Sequence, residues 1–314
     1  MSVAAVIVTY NSADEIGPCL TSLASLPEVR QTVVIDNASQ DHTVVAARAH
    51  AFDGLQVVAN VDNKGFAGGV NQGVAQTDAS GRYLLILNPD TQILSRSLKP
   101  METLCEQYGL ACGLLVDDQE NPQEGFWARR LPTPASLLFE VLGVNRLWPK
   151  NRINRQFRCL DLDPGKHGFV EQPPGACLMV RRDVWELLGG MDERFYPVWF
   201  EDADFCRRAF DSGFRIAYSP DVKVRHRGGH SVLRLGESLR NRLWYGSLLR
   251  YSAKHFSRVT FRVLCVGVMA GAAFRAVAIR GTTGMYAEII RMAAASFFRG
   301  NVALTRQPAA GASR

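Results

Sequence analysis

The first third of the chain alternates short apolar, β-branched runs with stretches of helical periodicity. Val3–Val8, Thr32–Ile35, Leu55–Ala59 and Tyr83–Leu87 are near-continuous apolar runs, the pattern of strands buried on both faces of a parallel sheet. Between them lie Ala13–Leu26, Asp41–His50 and Phe66–Thr77, each long enough for a crossover helix. This alternation predicts an α/β doubly wound sheet. In such sheets ligands bind beyond the carboxyl ends of the strands. The polar residues just after each run are therefore the ones to question.

Periodicity fades over residues 117–170, which read as a long surface excursion with a helical insert around Ala135–Leu142. Order resumes with a buried strand at Gly175–Val180 and a short helix, Asp183–Leu188, closed by Gly189 and Gly190. A further helix opens at Trp199–Asp204 and ends at Gly213, before a strand at Phe214–Tyr218 and the run Val224–His230.

Four strand ends carry oxygen-bearing side chains: Thr9-Tyr10-Asn11, Asp36-Asn37, Asn60–Asn63 and Asn88-Pro89-Asp90. Asn88-Pro89-Asp90 is either a plain turn or a carboxylate presented to a divalent cation, since Mg²⁺ and Mn²⁺ take oxygen ligands. Of the acids after the second strand, Asp36 is placed to accept a nucleobase N–H, whereas Asp41 suits a helix cap. Lys64-Gly65-Phe66-Ala67-Gly68-Gly69 fits a phosphate cradle at a helix start and equally a glycine-rich packing surface. Glu201, Asp202 and Asp204 complement a helix dipole, but three acids beside bulky aromatics also make a place for a general base. His226 and His230 gain interest only if Asp90 holds a metal that wants an imidazole.

Composition adds two points. Seven cysteines without a C-x-x-C pair exclude a disulfide framework and a zinc ribbon and point to buried thiols in a reducing compartment. The net charge of +6 is uneven, for from Arg240 onward there are 12 basic residues and a single acid, Glu288. An acidic body with a basic tail is a statement about partners. The start of the chain carries no basic n-region before its first strand, so the N-terminal part is expected to stay in the cytoplasm.

In order, Val8–Asn11, Val34–Asp41, Asn63–Asn71, Leu87–Asp90, Gly175-Ala176 and Phe200–Asp204 resemble the motif series of glycosyltransferase family 2, and most of all its bacterial rhamnosyltransferase branch. The resemblance covers about residues 3–235 and rests on six modest motifs in register. It implies a GT-A fold, a Rossmann-like, mostly parallel sheet flanked by helices, here with an amphipathic helical tail. It implies an inverting transfer from a nucleotide-diphosphate sugar, dTDP-rhamnose or a UDP-sugar, to a glycan or polyprenyl-diphosphate-linked acceptor. Matched residue by residue, Thr9, Tyr10, Asn11 and Asp36 would hold the nucleoside, with Asn63 and Gly68 near the donor. Asp90 would bind Mg²⁺ or Mn²⁺ with His226, and Asp202 would be the catalytic base. Asn88 stands where the family has the first acid of a D-x-D pair, and it offers a carbonyl oxygen without charge.

Three divisions follow: a GT-A domain over 1–235, a basic amphipathic helical region over 236–306 and a disordered tail over 307–314. Within the second, Val263–Phe274 is twelve uncharged residues, about 18 Å as a helix and short of a ~30 Å hydrocarbon core. Its recurring Arg and Lys suit helices lying on an anionic membrane surface, with a packed helical subdomain or homodimer interface as the other reading. The expected enzyme is peripheral on the inner face of the cytoplasmic membrane. Nucleic acid is not an expected partner. Galactofuranosyl or other hexosyl transfer, a sugar-nucleotide nucleotidyltransferase and a non-catalytic scaffold are the alternatives.

Overall fold

Val3–Thr9 forms β1, with every residue buried, and the sheet grows on both of its edges. The computed structural model describes residues 2–228, 236–279 and 281–302. His230, Arg280, the boundary at 235 and the tail 307–314 lie outside the described residues. β2 (Val29–Asp36) and β4 (Tyr83–Leu87) flank β1 in parallel, and β3 (Leu55–Ala59) extends the sheet beyond β2. β3 is thus an edge strand, only partly buried, not the central one its apolar run predicted. Its outer edge has no neighbour among the described strands.

On the other side the sheet continues β4-β8-β6-β9-β5. β6 (Gly109–Val116) and β9 (Arg215–His226) run parallel to β4, whereas β8 (Cys177–Arg181) is antiparallel to both of its neighbours. β5 (Thr91–Ile93) and β7 (Gly168–Val170) cap successive lengths of the outer edge of β9. Six of the nine strands point the same way, giving the mostly parallel α/β sheet expected.

The helices α1 (Ile16–Ala24), α2 (Thr43–Ala49) and α3 (Gly65–Ala75) fall where the spacing places them. α3 explains its glycines. A Cβ at Gly69 would lie 2.7 Å from a Val8 methyl and one at Gly73 2.4 Å from Val6, so glycine there lets the helix backbone settle on β1. α4 (Lys99–Tyr108) and β6 went unpredicted. Phe214–Tyr218 and Val224–His226 prove to be one strand that passes through Pro220 beside a register shift opposite Gly113 and Leu114. Residues 117–131 are no free excursion. Trp127, Ala128 and Leu131 are buried, the Trp127 ring lies against Tyr218, and Arg129 pairs with Gln172 through two 2.9 Å backbone hydrogen bonds. All seven cysteines are buried and free.

The chain divides into two compact units. The first, Met1–Leu131, Arg158–Glu193 and Glu201–Arg234, holds the whole sheet together with α8 (Arg182–Leu188) and α9 (Glu201–Asp211). The second unit, Pro132–Phe157, Arg194–Phe200 and Leu235–Arg314, is helical. It contains α5 (Pro134–Val141), α6 (Val144–Leu147), α7 (Arg152–Phe157), α10 (Glu237–His255), α11 (Arg258–Ala278) and α12 (Thr283–Arg299). Thr133 and Ser136 form a reciprocal capping box at the start of α5. α11 is 21 residues long, about 31 Å at 1.5 Å per residue, because Arg262 and Arg275 lie inside the helix rather than bounding it. By length and composition alone it could cross a membrane. The helix thus runs past both ends of the twelve-residue apolar stretch.

Candidate active site

Every residue of the site belongs to the first unit and gathers at the carboxyl edge of the parallel strands. At the ends of β1 and β2, Thr9 Oγ1 donates to Asp36 Oδ1 at 2.9 Å and the Ser39 backbone N–H donates to Asp36 Oδ2 at 2.9 Å. The Ser39 hydroxyl adds a further bond to Oδ1. Asn11 then ties the two loops, its N–H to Ser39 Oγ (2.8 Å) and its Oδ1 to the Gln40 N–H (2.7 Å). Asp36 is 2% exposed, and these bonds brace the two loops against each other. Tyr10 is partly exposed at the end of β1. Asp41 accepts the Thr43 N–H at 3.0 Å from one residue ahead of His42, the N-cap of α2.

The glycine-rich run divides in two. Asn63 Oδ1 accepts the Gly65 N–H at 2.8 Å, so Asn63 organises the start of α3. Gly68 lies further along the helix, where a Cβ would stand 3.2 Å from Lys64 Cβ and 3.7 Å from the Glu193 carboxyl carbon. Within this run Gly69 packs on Val8 of β1, whereas Gly68 has the Lys64 and Glu193 side chains beside it. Asn37 joins it to β2 by donating to Gly65 O at 2.9 Å.

Asn88-Pro89-Asp90 is a turn, closed by the Thr91 N–H to Asn88 O at 3.3 Å, and it also presents a carboxylate. Thr91 and His226 are register partners between β5 and β9, which brings His226 Nε2 to 3.5 Å from Asp90 Oδ1. Asp90 is steadied from its other side by the Gly228 N–H (3.0 Å to Oδ2). Gln123 Nε2 donates to His226 O, leaving Gln123 Oε1 to accept from Nδ1 at 3.2 Å. The lone pair is therefore on Nε2, which is buried without a hydrogen-bond partner. Burial lowers the imidazole pKa against the opposing pull of Asp90, so the ring is neutral at pH 7. A lone pair and a carboxylate facing each other call for a cation between them, and an O,N donor pair suits Mn²⁺ or Mg²⁺. Among the described residues no third His, Cys, Asp or Glu joins them. The remaining coordination positions would fall to water and ligand oxygens.

Asp202 stands in the first turn of α9. Its Oδ1 accepts the Ala203 N–H at 2.7 Å and its Oδ2 the Gly175 N–H at 3.3 Å. A Cβ on Gly175 would lie a tight 3.3 Å from the Phe66 ring and in ordinary contact, 3.8 Å, with Asp202 Cβ. Burial raises the Asp202 pKa, while the Ala203 N–H, the charge of Arg129, the Gly175 N–H and Gln172 pull it back. Immediately before the helix, Trp199 and Phe200 have φ of 80° and 69°, strained for non-glycine residues.

The three acids have three fates. Asp204 is fully buried and paired with Arg208 at 2.9 Å. Glu201 is buried with Oε2 unpartnered, and burial followed by the charges of Asp202 and Asp204 raises its pKa well above the carboxylate range. The folded state thus keeps a proton that the unfolded chain releases. Stability should fall as pH climbs from the ordinary carboxylate range toward the raised folded value. Urea denaturation of Glu201→Gln should show a gain of about 1–3 kcal/mol at pH 8 that shrinks toward pH 4; a pH-independent difference would refute this assignment.

Three residues of this edge were not foreseen: Gln123, Phe126 and Arg129. The Phe126 ring stacks on His226 at 5.4 Å and 7°, and the Arg129 guanidinium lies 5.4 Å from the Phe126 centroid. The stack leads from the Asp90–His226 corner to the cation that acts on Asp202. Their only signal in the sequence is an aromatic pair, Phe126-Trp127, set among charges where periodicity has lapsed.

Comparison with known proteins bears on the family and the fold. Residues 4–186 match the profile of Glycosyl transferase family 2. An N-acetylglucosaminyl-diphospho-decaprenol L-rhamnosyltransferase of Mycobacterium tuberculosis is 28% identical over 242 residues, 72% of this chain and 76% of that protein. The low-salt glycan biosynthesis hexosyltransferase Agl10 of Haloferax volcanii is 24% identical over 223 residues, 70% of this chain and 66% of its own length, just under two thirds. Among solved structures, the mannosyltransferase PcManGT of Pyrobaculum calidifontis, in complex with GDP-Man and Mn²⁺, superposes with a TM-score of 0.53 at 17% identity, covering 94% of this chain and 86% of that one. S. aureus TarS 1-349 gives 0.51 at 16% identity, covering 96% and 92%. The fold is GT-A, and the chain belongs to glycosyltransferase family 2, the sugar-nucleotide-dependent transferases.

Proposed function

We propose that this enzyme moves L-rhamnose from dTDP-rhamnose to a hydroxyl of a polyprenyl-diphosphate-linked glycan, with inversion, in cell-surface polysaccharide synthesis. The observation that carries the chemistry is Asp202, a partly exposed carboxylate of raised pKa on the same sheet edge as the Asp90–His226 pair. The name of the mycobacterial relative supports the sugar and the lipid-linked acceptor. Such an acceptor sets the reaction at the inner face of the cytoplasmic membrane.

An acceptor hydroxyl is too weak an acid to attack unaided at neutral pH. Asp202 takes its proton as the oxygen bonds to the anomeric carbon, while the bond to the diphosphate oxygen breaks and its electron pair leaves with the nucleotide. Attack opposite the leaving group inverts the centre. Mg²⁺ or Mn²⁺ held by Asp90 and His226 would supply Lewis-acid charge toward the departing diphosphate. The Asp36–Thr9–Ser39 brace keeps the β1 and β2 loops in one arrangement beneath the nucleoside. Because Asp202 must be ionised to act, activity should rise as pH climbs through its raised pKa.

The decisive experiment is a calorimetric donor panel of dTDP-rhamnose against UDP-galactofuranose and UDP-hexoses, with and without Mn²⁺. Selective, Mn²⁺-strengthened binding of dTDP-rhamnose is expected. Preference for a UDP-sugar would overturn the rhamnose assignment and favour the hexosyl reading that Agl10 carries in its name.

A further inference from the structure

α11 is two-faced. At 100° per residue, Val259, Val263, Val266, Phe274 and Val277 fall within an arc of about 80°, and all five are exposed, Val259 by 73%, Phe274 by 67% and Val277 by 88%. Arg258 and Arg262 are exposed along one border of this stripe. The Arg262 guanidinium lies 5.5 Å from the Phe297 centroid near the end of α12, where Phe298 is 81% exposed beside an exposed Arg299. Apolar side chains open to water along a whole helix, edged by cations, are not the surface of a helix whose only neighbour is solvent.

The opposite face is fastened. Leu264, Val268 and Ala272 are buried, and a Cβ on Gly271 would lie 2.0 Å from Val141 O of α5. Arg275 donates to Val141 O at 2.5 Å and to Gly271 O at 3.0 Å. To span a bilayer, α11 would have to give up these bonds and take Arg275 into hydrocarbon. A second copy fits no better. It would offer Arg258 and Arg262 no free acid from this region, since Glu288, the one acid after residue 240, is already 3.7 Å from Arg242. An anionic bilayer offers both acyl chains for the valines and phosphates for the arginines.

We infer that the exposed face of α11, bordered by Arg258 and Arg262, lies in the headgroup layer of an anionic membrane and docks the enzyme there as a peripheral protein. The inference rests on the proposed reaction at the membrane for its purpose and on the α11 surface for its substance.

The test uses the full chain in cosedimentation with vesicles of phosphatidylcholine alone or with ~30% phosphatidylglycerol. Wild type should pellet with the anionic vesicles only, less so as NaCl rises from about 0.1 M to about 0.5 M, and carbonate should strip it from membranes. A Val263→Asp/Val277→Asp double variant and Arg258→Glu should each lower partitioning by about tenfold or more, with circular dichroism and donor binding unchanged. Equal binding by the variants overturns the proposal. So does resistance to carbonate, which would mark a spanning helix, or a dimer that the double variant dissociates without any change on vesicles. Transfer without vesicle binding would sink this inference alone. Vesicle binding by a protein that transfers from no sugar nucleotide would sink the proposed reaction and leave the docking face standing.

Discussion

Asp202→Asn should lower transfer by about 10²–10⁴-fold, the usual worth of a positioned general base, while donor binding survives. Asparagine keeps the side-chain oxygen that accepts the Ala203 N–H at 2.7 Å, so the start of α9 should hold its shape. The capacity to take a proton is lost, together with the Oδ2 acceptor of the longer 3.3 Å bond from the Gly175 N–H. Single-turnover assays together with donor calorimetry separate the two effects. Wild-type turnover in the variant would remove Asp202 from the role of base and return attention to Glu201. Glu201, buried and drawn toward its protonated form, is a poor substitute at neutral pH.

The second large effect is expected at Asp90. With Asn88 on the same turn, Asp90 carries its only negative charge. Asp90→Asn retains an oxygen for the Gly228 N–H (3.0 Å in the native chain) but leaves His226 Nε2 facing a neutral amide. Turnover should fall by about 10²–10³-fold, and the strengthening of donor binding by Mn²⁺ should vanish with it. A variant that binds donor equally well with and without Mn²⁺ yet turns over at the native rate would exclude this corner from the reaction.

How much of this was legible beforehand differs by region, and for physical reasons. β1, β4 and the first three helices announce themselves because strands buried on both faces and amphipathic helices leave unmistakable periods. β3 misled, for an apolar pentapeptide reads the same at an edge as in the centre until its neighbours are known. α4 and β6 passed unnoticed, though Gly109, at φ 94°, joins them without an intervening loop. In the site, Asp90 and His226 were visible as chemistry after strands, and Asp202 as an acid at a helix start. Gln123, Phe126 and Arg129 were not, since they reach the sheet edge on irregular backbone whose course is set by a buried Trp127 and the pairing of Arg129 with Gln172. The glycine-rich run was ambiguous in the letters, for a glycine that lets a helix pack, as Gly69 does against Val8, reads the same as one that cradles a phosphate.

The antiparallel insertion of β8 between β4 and β6 bears on how the protein is made. When Tyr83–Leu87 leaves the ribosome, β1 is ready to pair with one edge of it, but its other neighbour lies about ninety residues further on. At ~5–20 residues per second that edge waits roughly 5–20 s. During that interval an apolar strand shows an open row of amides and carbonyls, the template on which chains misassociate. The enzyme's vulnerability should therefore be greatest during its own synthesis, and slower translation or a truncation ahead of residue 177 should send it to chaperones or inclusion bodies.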